Sequence, residues 1–249
     1  MNFHDVKIFV PTKNRWDKQK TYEILKSIGL NPILVIEPQE EVFAKKYNYI
    51  LLPENDRGIA YSRNYILDYS RKNEYDYIAM VDDDIYSFYK KNEEGKLLKN
   101  DNVFIEVLNI FIENKFSLCG MEFRHIAWCQ NEKITFNHSI HACMMFYLPS
   151  IPLDIRFDSK SKEDKDLAIQ LIKAGCKTVK LNDYAFSTPV MGTNAGGLHD
   201  WYTSQEDRKA SEYMLEKWGR NIITLKDKGG RIDAMVNWKN IKNDEFALF

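Results

Sequence analysis

The chain has 249 residues, 44% of them apolar and 13% aromatic, enough for one compact domain with a substantial core and too much for a disordered chain. Its 35 basic and 36 acidic residues leave a net charge of −1, which excludes a body that holds nucleic acid by bulk charge alone; local basic clusters at Lys13 to Lys20, Lys160 and Lys162, and Arg208 to Arg231 remain. No stretch approaches the roughly 18 continuous apolar residues of a membrane span, and Met1 to Lys7 lacks a signal peptide's apolar region, so a cytoplasmic protein is expected. The four cysteines form no CxxC pair, the pattern of reduced packing thiols.

Val6 to Val10 reads as a short buried strand broken at Pro11, and Lys18 to Ile28 as a helix with Tyr22, Leu25 and Ile28 on one side before Gly29. Pro32 to Ile36 is a second strand ending at Glu37-Pro38, followed by a helix over Glu40 to Tyr47 and a strand over Tyr49 to Leu52. Gly58 to Lys72 has helical spacing, and Tyr77 to Ile85 is an apolar strand that ends in Asp82, Asp83 and Asp84. Alternating strands and helices imply crossover connections and a largely parallel α/β sheet, whose ligands sit at the carboxyl ends of its strands.

That rule selects Thr12 to Arg15, Glu37, and Asp82 to Asp84, with Asn55, Arg57 and Arg63 from the segment entering the third helix. In an extended segment Asp82 and Asp84 face the same side and can share a divalent cation while Asp83 points away. Arginines suit diphosphate oxygens, and Glu37 suits a ribose or base donor.

The second half carries strands at Phe116 to Phe123 and Ile140 to Leu148, separated from the aspartates by a helix over Asp101 to Lys115. Glu163 and Asp164 open a helix running to Gly175, where carboxylates either cap free amides or do chemistry. A strand near Thr178 to Leu181, a glycine-containing stretch Asn194 to His199 and a helix over Gln205 to Trp218 complete the chain.

The order of these motifs resembles the GT-A class of nucleotide-sugar glycosyltransferases. The features are Phe9 to Arg15 at the first strand, Gly58 to Asn64 before a helix, the Asp82-Asp83-Asp84 metal motif, Glu163-Asp164 opening a helix, and a late His199. Within the class, the Pro-Thr-Lys-Asn-Arg start, the Val-Asp-Asp-Asp-Ile core, Gly196-Gly197 before an aromatic helix and Glu216 to Gly219 resemble the phage glycosyltransferases associated with TET-type oxygenases. The resemblance implies a single GT-A domain over 1–249. Its parts are a nucleotide-sugar-binding half (1–90), a mixed acceptor-side half (91–204) and a C-terminal helical segment (205–249).

It further implies Mn²⁺ or Mg²⁺ held by Asp82, Asp84 and His199, and a UDP-sugar bound near Pro11, Thr12, Arg15, Glu37, Asn55, Arg63, Asp82 and Asp83. Asp164 or Glu163 would be the catalytic base, favoured in its ionised form by Lys162 and Lys165. The implied acceptor is modified DNA bearing 5-hydroxymethylpyrimidine, with 5-hydroxymethylcytosine foremost. Trp128 or Trp201 would be available to stack on a flipped base, and Lys160 and Lys162 would face DNA.

Three other readings stay open. A glycan or lipid-linked acceptor is compatible with the same fold. A nucleotidyltransferase would normally carry a glycine-rich loop after its first strand, which Pro11 to Arg15 lacks. A metal-binding module could use His125, Cys129, His138, His141 and Cys143, whose spacing matches no standard zinc pattern.

Overall fold

In the computed structural model, which describes residues 2–15, 18–159, 161–189, 206–229 and 231–241, the first half folds as the alternation predicts. β1 (Lys7–Pro11), β2 (Pro32–Ile36), β3 (Tyr49–Leu51) and β4 (Tyr77–Val81) are separated by α1 (Lys20–Ser27), a short α2 (Glu41–Ala44) and α3 (Ile59–Lys72). The four strands pair in parallel in the order β3-β2-β1-β4. β4 is buried at every position because both faces of the sheet are covered, and an apolar run without polar alternation is what such a strand requires.

Alternation divides the core. Ile8, Val10, Tyr77, Ala79 and Val81 share one cluster with α1 and α4 (Val103–Asn114). Phe9, Ile78 and Met80 share the other with α3 and α6 (Glu163–Lys173). The sheet continues through β9 (Cys143–Tyr147), β7 (Leu118–Phe123), β10 (Thr178–Ser187), β5 (Ser87–Lys91) and β6 (Leu97–Lys99), with β8 (Ile134–Phe136) on β10. β9 runs antiparallel to both β4 and β7, whereas β7 and β10 are parallel, so this half is mixed as expected. The short α5 (Arg124–Ala127) follows β7.

The C-terminal region departs from a helical segment. α7 (Glu206–Trp218) is followed by an antiparallel hairpin of β11 (Ile223–Asp227) and β12 (Ile232–Val236), which closes a small core with Ile169 and Ile172 of α6. Among the described residues, no helix is long and apolar enough to cross a membrane.

Candidate active site

β1 and β4 are parallel neighbours, and β9 meets β4 in antiparallel register with Val81 opposite Cys143. The carboxyl ends of β1 and β4 therefore lie beside the amino end of β9. The backbone N–H of Asp82 donates to the Ala142 carbonyl at 2.7 Å, tying the aspartate motif to the segment that carries His141. Gly120 of β7 allows that segment to lie close, since a Cβ there would overlap the Ile140 side chain and the Cys143 carbonyl.

β4 ends at Val81, and Asp82 to Asp84 form a turn rather than extended chain. Asp83 turns inward while Asp82 and Asp84 stay partly open. Asp83 is buried, accepts from Thr12 Oγ1 at 2.5 Å, and takes Arg15 Nη1 at 2.5 Å. Burial pushes its carboxyl up to about 6, against the pull of Arg15 and Thr12. Gln19 fastens this loop by donating to Thr12 Oγ1 at 3.0 Å and to the Arg15 carbonyl at 2.8 Å. Thr21 at the start of α1 donates to the Asp82 carbonyl and accepts from the Ile85 amide, holding the turn in shape.

Asp82 and Asp84 remain partly open, with side chains 36% and 24% exposed. Asp84 Oδ2 lies 3.2 Å from Arg15 Nη1, and Asp82 Oδ1 lies 2.9 Å from Arg63 Nη2. Arg63, buried one turn into α3, places its other nitrogen Nη1 2.5 Å from Glu163 Oε1. It is thus a brace between two carboxylates. Glu37 is likewise buried and engaged, by Lys13 Nζ at 3.0 Å and the Asp56 amide at 2.9 Å. Pro11 is buried at the end of β1, and exposed Asn55 accepts from the Gln39 amide.

Glu163 and Asp164 are the first two residues of α6, and neither caps it from outside. Burial raises the Glu163 carboxyl to about 7, with Arg63 opposing and Asp164 adding to the shift. For Asp164, burial works against ionisation, yet contact with His141, together with Lys165 and Arg63, holds it well below the usual carboxylate range. Asp164 Oδ2 meets His141 Nδ1, while His141 Nε2 lies 3.0 Å from Ser139 Oγ. The sequence presents His141 only within the His/Cys cluster; the antiparallel pairing of β9 with β4 brings the segment before β9 beside the aspartate turn, and no local spacing signals that.

The Glu163 shift has a sign that can be measured. Its folded pKa lies above the unfolded value of 4.5, so its contribution to stability is lost as pH rises from about 4.5 through about 7. Asp164, shifted the other way, contributes stability that is lost as pH falls. Between pH 5 and pH 7.5, urea unfolding of wild type should lose on the order of 2 kcal/mol more than Glu163→Gln. Identical pH dependence in the two proteins would exclude a proton on Glu163.

Several expectations separate. Lys162 is buried, 2.8 Å from Asp207 and 3.2 Å from Asp233, so it is an internal ion-pair partner and does not face DNA. Lys165 does add to the field that keeps Asp164 ionised, while Lys162 is committed elsewhere. Trp128 is 69% exposed. Lys160, Asn194 to His199 and Trp201 lie outside the described residues. Among the described residues no three His, Cys, Asp or Glu side chains group as a metal site, so the His/Cys module finds no support.

A family model described as TET-Associated Glycosyltransferase matches residues 6–197. Among solved structures, GalNAc-T7 with UDP, GalNAc and Mn²⁺ aligns at a TM-score of 0.53 and 7% identity, over 86% of this chain and 48% of that one. A197 from STIV aligns at 0.44 and 13% identity, over 76% of this chain and 86% of that one. A CMP:2-keto-3-deoxy-manno-octonic acid synthetase complexed with CTP aligns at 0.44 and 9%, over 85% and 99%. No curated protein matches. The GalNAc-T7 alignment shows the shared fold, and at this identity shows nothing further.

Proposed function

Because the chain belongs to the TET-associated glycosyltransferase family, it is a glycosyltransferase, and we propose that it moves a sugar from a UDP-sugar to the hydroxyl of 5-hydroxymethylpyrimidine in DNA. 5-Hydroxymethylcytosine is the first acceptor to test. The observation that carries this reading is the junction at Arg63, where the aspartate turn after β4 meets the acidic start of α6. One wall suits a nucleotide diphosphate with its cation, and the other suits a hydroxyl that must lose a proton.

The residues fit a divalent cation by chemistry and charge. Asp82 and Asp84 offer hard carboxylate oxygens, and both stay partly open beside the guanidiniums of Arg63 and Arg15. Asp82 and Asp84 would hold Mn²⁺ or Mg²⁺, with His199 as a further ligand. When bound, such an ion supplies Lewis acidity to the leaving diphosphate. Arg15, its side chain 16% exposed beside Asp84, is placed to neutralise a phosphate oxygen, and Thr12 and Gln19 keep its loop in position. Across Arg63, the start of α6, with His141 against Asp164, forms the wall that would face the acceptor hydroxyl.

A DNA acceptor is supported by a groove of about 840 Å³ lined by Lys18, Lys20, Lys46 and Lys99 together with Tyr47 and Tyr86. Lys20 Nζ sits 4.0 Å over the Tyr86 ring, and Tyr86 follows Asp84 by two residues, so the groove borders the site. Lysines with aromatic edges suit a phosphate backbone. In a duplex the hydroxymethyl group lies in the major groove where thymine carries its methyl, and flipping the nucleotide would bring it to the Asp82–Glu163 cleft.

The deciding experiment incubates the protein and Mn²⁺ with a panel of UDP-sugars and DNA containing 5-hydroxymethylcytosine or 5-hydroxymethyluracil, read by nucleoside mass spectrometry. A hexose or pentose mass gain, lost on chelation and in Asp84→Ala, is expected. In the same assay Lys20→Glu/Lys99→Glu should weaken DNA binding at least about tenfold and reduce its salt slope by about 2, with UDP affinity unchanged. Metal-dependent UDP binding without transfer to DNA would move the acceptor to glycans, and no UDP binding would overturn the donor assignment.

A further inference from the structure

At the start of α6, Asp164 has both oxygens in use, Oδ2 by His141 Nδ1 and Oδ1 by the Lys165 amide at 2.7 Å. Glu163 lies buried against Arg63 at 2.5 Å. The imidazole of His141 completes the arrangement. With Asp164 accepting at Nδ1, the proton of the neutral ring resides there and the lone pair on Nε2 is directed elsewhere, at present to the Ser139 hydroxyl 3.0 Å away.

We propose that His141 Nε2 is the general base for glycosyl transfer and that Asp164 is its positioning residue. This rests on the glycosyltransferase reading above and names the atom that receives the proton. As the acceptor oxygen forms its bond to the anomeric carbon, the hydroxyl proton passes to Nε2. The bond from that carbon to the diphosphate oxygen breaks, and its electron pair leaves with the diphosphate. Asp164 keeps the ring in the required tautomer and stabilises the imidazolium that results, the division of labour found in Asp-His catalytic pairs.

Three structural details serve this role. The His141 side chain is 25% exposed, open enough for a substrate hydroxyl to reach. The Ser139 hydroxyl occupies the lone-pair direction of Nε2 and has a second neighbour, His138 Nδ1 at 3.4 Å, to which it can turn when an acceptor arrives. Ala142, the next residue, is held in the left-handed region at φ 52°, a conformation rare without glycine, and its carbonyl receives the Asp82 amide. Backbone strain of this kind is retained where the surroundings enforce a geometry. The ring is therefore fixed relative to the aspartate turn from one side and to α6 from the other.

The test uses the full chain with UDP-sugar, Mn²⁺ and hydroxymethylated DNA, and follows UDP-sugar hydrolysis without DNA in parallel, where water replaces the acceptor. His141→Ala should lower kcat by about 10² to 10⁴-fold with KM for the donor and UDP binding unchanged. Added imidazoles should restore turnover, faster as the rescuer becomes more basic. His141→Gln, which keeps the hydrogen bond to Asp164 but has no basic lone pair, should be equally slow. Asp164→Asn should lower kcat less and add nothing in the double variant. Retention of kcat within about threefold in His141→Gln, or a loss in His141→Ala that no imidazole restores, would overturn the proposal. If wild type hydrolyses UDP-sugar but leaves DNA unmodified, the DNA acceptor fails while the hydrolysis series still decides the base.

Discussion

Arg63→Met is expected to destabilise the protein by about 3–5 kcal/mol and to abolish sugar transfer, because the variant keeps the side chain's bulk and removes the cation joining two carboxylates. Arg63 is 4% exposed, and its two terminal nitrogens reach Glu163 and Asp82 at 2.5 and 2.9 Å. Without the guanidinium, Glu163 would be buried among Asp82 and Asp164 with no countercharge and would stay protonated. Asp82, being half open, would recover water and turn away from the cleft. Arg63→Lys is expected to fail nearly as badly, since a single ammonium cannot span two carboxylates as a planar fork does. Urea unfolding and metal-dependent UDP binding, measured on both variants, decide the matter. A variant as stable as wild type that loses only UDP affinity would show Arg63 to be a phosphate ligand and not a brace.

The nucleotide half of the fold was legible because its strands are buried on both faces. Tyr77 to Val81 is an uninterrupted apolar run, and a strand of that kind has few places to be except in the middle of a covered parallel sheet. Its abrupt end at the aspartates then marks the functional edge. Ser87 to Lys91 and Leu97 to Lys99 were not read as strands, since their polar residues fit an edge as well as a loop. The β11–β12 hairpin was missed for a similar reason, with Lys226, Asp227 and Lys228 obscuring the alternation around its turn.

At the site, residue types were readable and partnerships were not. A triple aspartate announces a cation or an arginine, but nothing local says that Asp83 turns inward to Thr12 and Arg15, 71 and 68 residues away. The dependence of His141 on Asp164 is likewise a product of β9 returning beside β4. Glu37 shows the same limit: a lone acid at a strand end is visible in the sequence, while its contacts with the Lys13 ammonium and the Asp56 amide are not.

Lys162 is where the C-terminal region, which lies beyond the family match, reaches the acidic start of α6. It immediately precedes Glu163, and its buried ammonium joins Asp207 of α7 and Asp233 of β12. Arg231 adds to Asp207 at 2.6 Å, and Lys165 and Lys228 add to Asp233 at 3.2 and 2.9 Å. Lys162 also sits in the left-handed region at φ 62°. Two effects therefore act at one residue, and two substitutions separate them. Lys162→Ala loses the ion pairs while keeping the backbone penalty, and is expected to be destabilised by on the order of 3 kcal/mol. Lys162→Gly loses the same pairs but relieves the left-handed conformation, so it should be the more stable of the two variants by about 1 kcal/mol and still fall below wild type. Both should lower kcat, because the start of α6 would no longer be held against α7 and the hairpin. Urea unfolding of the three proteins beside their transfer rates gives the answer. If Lys162→Gly matched or exceeded wild type in stability, the backbone would be what matters and the ion pairs would not anchor the site. If both variants lost stability with kcat unchanged, the C-terminal region would support the fold without positioning Glu163 and Asp164.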